Sequence, residues 1–437
     1  MFAPVSSLRS SRVVVDGEAR PATIHHEGGV IVEIGDGPAD DDFGDLVIMP
    51  GLVDTHVHVN EPGRTHWEGF DTATRAAAAG GATTIVDMPL NSVPPTVDTD
   101  ALEAKRESAD ARLSVDTAFW GGLIPGSEGH LAALVTEGVC GFKSFLVDSG
   151  VPEFPPMIFS ELATALEEMG RLGVPSLIHA EHPDLLEPWD GDPQSYQGYL
   201  ATRPSRAETE AVLVLAGLTE RIGCRVHVLH VSSGEAASAI GSASSRLTGE
   251  TCPHYLIFSA EEIPDGATVF KCAPPIRGGA DREALWDALI TGTLAMVVSD
   301  HSPAPPEVKA TDWGDFASAW GGIASLQLRL PATWTGAAER GVGLGELTRW
   351  LSTAPAALAG LDRAKGSIAL GKDADFVVWD LGGVTEVRGE ALEHRHPLTA
   401  YEGMQLRGRV ETTILRGETI FEQGRVASGH GRMLRRG

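Results

Sequence analysis

The chain has 437 residues, an ordinary apolar share of 42% and a formal net charge of −26. The length predicts one large domain of roughly 250–300 residues plus a smaller one. The charge excludes bulk electrostatic binding of nucleic acid or an anionic membrane, and no apolar run approaches the ~18 residues of a membrane span.

In chain order, the segment from Met1 to Arg12 has no apolar h-region, so no secretory leader is expected. Short strands with turns follow at residues 12–15, 30–34 and 46–49. The far end is similar, with strands at 375–379, 411–415 and 419–421, the last after an Arg416-Gly417-Glu418 turn. Neither end has enough strands for a core. Residues 1–50 and 366–437 are therefore expected to pair into one composite β-sandwich.

Between them, apolar runs recur at 52–59, 83–88, 115–123, 141–146, 176–180, 225–231, 247–255 and 296–299. Helix-like stretches alternate with them at 72–79, 99–108, 159–172, 205–222 and 281–292. The 205–222 stretch opens with Ser205-x-x-Glu208, which predicts a capping box, and Val212, Leu215, Leu218 and Ile222 keep the helical period. Eight strands alternating with helices over roughly 250 residues predict an α/β fold, a (β/α)8 barrel over 51–365. A doubly wound sheet shares this alternation.

A barrel gathers function at the C-terminal ends of its strands. The first run ends His56-Val57-His58, and residues i and i+2 of a strand face the same way, so both imidazoles can reach one ion. The fourth carries Lys143, the fifth ends at His179, the sixth at His230 and the eighth at Asp300. Each has a plainer reading alone: a histidine satisfied in the core, a lysine paired with a carboxylate, an aspartate capping the next helix. Together those readings require five coincidences at strand ends, so the metal reading takes precedence. Four imidazoles suit two divalent ions, zinc first, with cobalt, manganese or iron compatible. Two dications need an anion between them. A desolvated lysine beside cations loses its proton readily and can add carbon dioxide. Lys143 is therefore expected to be the N6-carboxylated ligand.

These residues resemble the cyclic amidohydrolase branch of the amidohydrolase superfamily: hydantoinases, dihydropyrimidinases, dihydroorotases and allantoinases. The likeness runs from about Met49 to Lys372, and the β-rich ends also resemble that family. It implies that His56, His58, Lys143, His179, His230 and Asp300 are the metal ligands, with Asp300 also the catalytic proton shuttle. Dihydroorotases resemble His-x-His-x-Arg-Glu-Pro-Gly, whose arginine binds a carboxylate, but here Asn60 stands in that place.

What remains resembles the allantoinase subfamily: 61–69 (Glu-Pro-Gly-Arg-Thr-His-Trp-Glu-Gly), 88–91, Cys252-Pro253-His254-Tyr255, 271–277, 299–303 and Trp320-Gly321-Gly322-Ile323. By this resemblance allantoin is the substrate, its cyclic amide hydrolysed to allantoate. Candidate substrate contacts are His66, Asn91, His254, Ala273 and Gly322, each with a structural role open. Ala273 is often serine in relatives, and Asp148 stands where hydantoinases carry a tyrosine. A broader hydantoinase or dihydropyrimidinase is the alternative, a dihydroorotase follows, and a non-catalytic scaffold is disfavoured because all six ligand positions are filled. The family further implies a homotetramer. Cys140, Cys224, Cys252 and Cys272 form no Cys-x-x-Cys pair, which predicts neither a disulfide framework nor a thiolate zinc site and fits a cytoplasmic location.

Overall fold

The computed structural model describes residues 6–189 and 191–437; residues 1–5 of the segment read above as leaderless lie outside the described residues. Eight parallel strands form the barrel: β1 (Leu52–Val57), β2 (Ala82–Asp87), β3 (Asp116–Phe119), β4 (Phe142–Phe145), β5 (Ser176–His179), β6 (Val226–Val228), β7 (Leu247–Thr251) and β8 (Met296–Val297). Residues of β1, β2, β4 and β5 are all buried, as expected of strands covered on both faces. After β3 the chain passes from one neighbour to the next: Trp120 N–H donates to Asp87 O, and Gly121 N–H to Gly141 O beside β4. The circle closes where Val57 bridges His301 and His58 N–H donates to His301 O at 2.8 Å.

The floor of this seam is ionic. Asp54 accepts from the N–H groups of His56 (3.1 Å) and Ser299 (3.2 Å) and lies 3.4 Å from Arg329 Nε. Arg329 also donates to Val53 O, so β1 is tied to the outer layer directly beneath the histidine pair.

Two expectations need correction. The helix Ser205–Ile222 forms, but its N-cap is Pro204 and no side chain caps it. Glu208 turns inward instead, accepting from Ser232 Oγ (2.7 Å), Ser232 N–H (3.0 Å) and Arg277 Nη2 (2.6 Å). A buried guanidinium is the stronger partner, because charge-assisted hydrogen bonds outweigh a neutral cap. The seventh run was read as strand to 255. It stops at Thr251 because Pro253 opens the short helix Pro253–Ile257, where its missing N–H costs nothing.

The chain ends share one mixed sheet of nine strands. Val47–Pro50 from the N-terminal side pairs antiparallel with Phe376–Glu386 from the C-terminal side, Ile48 opposite Val378 and Met49 opposite Val377. Alternation divides their side chains. Ile48, Phe376 and Val378 pack with Leu8, Val13 and Ile24 in the sheet's own core, while Met49, Val377 and Trp379 join the barrel core. Gly81 marks the close approach: a Cβ there would lie 2.5 Å from Val377. The connection between Phe376–Glu386 and Gln405–Leu415 also reaches the barrel, where His396 Nε2 donates to His66 O at 2.8 Å. Among the described residues no helix is long and apolar enough to cross a membrane.

Candidate metal centre

His56 is fully buried, and each of its ring nitrogens faces a carboxylate. Nδ1 lies 2.6 Å from Glu250 Oε1, and the other oxygen of Glu250 is 3.1 Å from His227 Nε2. Burial pushes the Glu250 carboxyl up, but the hydrogen bonds from His227 and His56 outweigh it and hold it at about 2. Glu250 is thus an acceptor, and the His56 proton belongs on Nδ1. Nε2 then presents its lone pair to Asp300 Oδ1, 3.1 Å away, with no hydrogen-bond partner. With one proton on the ring, acceptor meets acceptor, an arrangement that a bound cation relieves. His58 Nε2 faces the same Asp300 oxygen at 3.5 Å. Ligand atoms of His56, His58 and Asp300 all lie within 4.8 Å of one another.

A second pair sits alongside. His179 Nε2 donates to Glu181 Oε2 at 2.6 Å, which frees Nδ1 to point at His230 Nε2, 3.1 Å away. The His230 ring centre is 5.3 Å from that of His56, and its own Nδ1 has no partner. Burial lowers the pKa values of His179 and His230 well below the usual imidazole range and that of His58 to about 4, so these rings are neutral and offer lone pairs. Lys143, buried on β4, stands with Nζ 4.3 Å from the centre of the Phe145 ring, and Phe145 stacks on His179. Burial lowers the lysine to about 7 against the pull of Asp300 and Glu250. This donor set of lone pairs, a carboxylate and a readily neutral amine fits divalent metal ions.

The backbone is bent to present these groups. His230 (φ 38°) and Asp300 (φ 45°) adopt the left-handed region, as do Asn60 (66°) and Asn91 (66°). Such residues cost of order 1–3 kcal/mol each and persist where the surroundings enforce them.

The expected substrate contacts divide. Asn91 is buried, its amide 3.3 Å from His58 Nδ1. The amide nitrogen faces the ring and donates to Nδ1, so the contact of Asn91 is with a ring of the cluster. His254 is buried, both ring nitrogens unpartnered, with a ligand atom within 4.8 Å of Asp300. Ala273 lines a cleft of about 360 Å³ with Asp148, Arg203 and Lys271. His66 is exposed, its ring edge-on to Trp67. Gly322 holds its loop: its N–H donates to Lys271 O at 2.9 Å and its carbonyl accepts from Lys309 Nζ at 2.7 Å. Asn60 is buried and donates weakly to Pro303 O at 3.4 Å.

Glu181, Glu250 and His227 went unremarked in the sequence. Glu181 follows His179 at i+2, the same spacing that singled out the histidine pair. Glu250 is a carboxylate inside a buried strand, itself a signal. Its contact with β1 was not readable, because it joins strands far apart in the chain.

Residues 47–420 match the model of the amidohydrolase family. The chain belongs to that family. It is 48% identical to the allantoinase of Streptomyces avermitilis over 98% of both chains. Identity to the allantoinase of Arabidopsis thaliana is 45%, covering 89% of this chain and 80% of that one. The Saccharomyces cerevisiae allantoinase is 42% identical over 96% and 95%. Among solved structures, an L-hydantoinase (dihydropyrimidinase) from Arthrobacter aurescens superposes with a TM-score of 0.92 at 29% identity over the whole of both chains. The family's barrel, with a mostly antiparallel sheet built from both ends of the chain, is the fold described above.

Proposed function

We propose that this chain hydrolyses the cyclic amide of allantoin, opening its ring to allantoate. The observation that carries the hydrolytic chemistry is the bare His56 Nε2 facing Asp300 Oδ1 beside the His179–His230 pair. His56, His58, Lys143 as its carbamate, His179, His230 and Asp300 would hold two divalent ions, zinc first. Ions bound there supply Lewis acidity toward a water molecule and toward the scissile carbonyl. Asp300 takes the proton of the attacking water and returns it to the leaving ring nitrogen. Glu250 and Glu181 hold the tautomers of His56 and His179 that keep lone pairs turned inward.

The choice of substrate rests on the relatives and on Asn60. A neutral side chain there supplies no cation for the carboxylate of dihydroorotate, whereas allantoin carries a neutral ureido arm. Purified protein assayed on allantoin, 5-substituted hydantoins, dihydrouracil and dihydroorotate, with metal analysis of the same sample, tests the reading. Allantoin should give the highest kcat/KM and dihydroorotate none; faster turnover of dihydrouracil would transfer the assignment to a dihydropyrimidinase. Asp300→Asn should lose at least about a thousandfold in kcat while still folding, and an active variant would remove the shuttle role. The reading extends to a division into a catalytic barrel (51–365) and a composite β-sandwich (1–50 with 366–437), a homotetramer and a cytoplasmic location.

A further inference from the structure

An ammonium without a counter-ion is buried behind one wall of the cleft. Lys309 is 3% exposed, and among the described residues no carboxylate pairs with it. Its three N–H donors are all taken by backbone carbonyls: Lys271 O at 2.9 Å, Trp320 O at 3.0 Å and Gly322 O at 2.7 Å. These carbonyls belong to two segments distant in sequence, one between β7 and β8 and the other beyond β8. Lys271, Ala273, Trp320 and Gly321 line the cleft of about 360 Å³. The two segments also meet where Gly322 N–H donates to Lys271 O at 2.9 Å and Lys271 Nζ to Ala319 O at 2.5 Å. The wall they form leans on the turn that carries Asp300. Trp320 Nε1 donates to Ser302 Oγ at 3.3 Å, and a Cβ on Gly322 would lie 2.3 Å from Ser302 O.

Burying a lone ammonium is costly, and stability alone favours an ion pair or an apolar filler at such a place. What the ammonium supplies is geometry: charge-assisted hydrogen bonds that draw carbonyls of both segments onto one point. We propose that Lys309 is a positioning residue for substrate, its ammonium locking residues 271–273 and 320–322 into one wall that orients the cyclic amide against the metal centre. Ala273 and Gly322, two of the candidate substrate contacts, belong to this wall, and their backbone groups are fixed by the lock. The wall touches substrate in the ground state and the transition state alike, so its loss is read mainly in KM. The substrate side of this inference rests on the hydrolytic reading above; the lock does not.

Lys309→Ala tests the lock, because it deletes the outline of propylammonium. The zinc-loaded variant should keep its metal content. Its kcat/KM, on the cyclic amide that the parent turns over fastest, should fall about 10- to 100-fold, most of it in KM. Propylammonium chloride should recover at least about fivefold of that loss, whereas tetramethylammonium, a cation with no N–H, should recover none. Amide exchange at Gly322, read without substrate, should quicken about tenfold in the variant and slow again with propylammonium. Lys309→Met fills the space without an N–H and covers the case in which the alanine variant does not fold. It should show the same rise in KM and ignore propylammonium. An unchanged KM overturns the proposal, as does a loss that follows metal content, or equal rescue by tetramethylammonium. Failure of allantoin as substrate would show in the parent, and the exchange readout would stand without it.

Discussion

His56 is held from both sides by carboxylates with different tasks. Glu250 takes the Nδ1 proton, so the state of Nε2 is decided on the far side of the ring from the site. Replacing Glu250 by Gln lets the amide offer oxygen to only one of His56 and His227 and turns an N–H toward the other. Metal affinity, measured by competition with a chelator, should fall about 10- to 100-fold, as for other residues that orient ligands. An unchanged affinity would show that His56 needs no such partner. Lys143 adds a pH dependence. Burial lowers it from 10.5 to about 7, so the neutral amine predominates above that pH and falls away below it. Only the neutral amine can add to carbon dioxide, its nitrogen forming the new bond and releasing a proton. Metal-free protein given zinc at a fixed concentration of dissolved carbon dioxide should therefore regain activity slowly at pH 6 and about tenfold faster at pH 8, with the gain flattening well above 7. A recovery rate independent of pH and of carbon dioxide would discard the carbamate.

At the scale of elements, the helix Ser205–Ile222 separates two accounts of one motif. A capping box assigns its stabilisation to Ser205; the structure assigns it to Glu208 and Arg277. Ser205→Ala should therefore change unfolding free energy by no more than about 0.5 kcal/mol, where loss of a true cap costs about 1. Arg277→Ala leaves the Glu208 carboxylate buried without its cation and should cost about 3–5 kcal/mol. Denaturant unfolding of both variants decides between them. The same contrast explains what could be read from the chain. Strand periodicity and the His-x-His spacing are local, so the barrel alternation and the common facing of His56 and His58 were legible. Glu208 to Arg277 and Glu250 to His56 are contacts between elements distant in sequence, which only the closed barrel brings together. The cap reading failed where a side chain had a better partner elsewhere, as at Glu208, and a strand end failed where proline began a new element, as at Pro253.

At the scale of the molecule, Lys365 joins the barrel to the terminal sheet. Its ammonium is buried 2.6 Å from Asp116 of β3, 2.8 Å from Asp373 and 2.7 Å from Asp375, the last directly before Phe376–Glu386. Arg416 also pairs with Asp116, and Arg432 N–H donates to it, so the C-terminal tail enters the same knot. The partners shift in ways that differ in meaning. Burial pushes the lysine down, yet Asp375, Asp116 and Asp373 together outweigh it and raise it. For Asp375, burial prevails over Lys365, and the carboxyl is also raised. Three anions on one cation account for both. The lysine gains from the cluster, while a buried carboxylate sharing it gains too little. Lys365→Met removes the cation and should cost about 3–5 kcal/mol at pH 7, since it leaves buried carboxylates short of a partner. The sign of its pH dependence follows. A carboxyl raised in the folded state binds protons that the unfolded state releases, so stability rises as pH falls toward its folded pKa. Without Lys365 that rise steepens, and the deficit relative to the parent should narrow from pH 7 toward pH 5 in denaturant titrations. A deficit constant across that range would mean that the lysine acts by packing alone, and that the terminal sheet is held to the barrel by its apolar face around Met49, Val377 and Trp379 rather than by this charge.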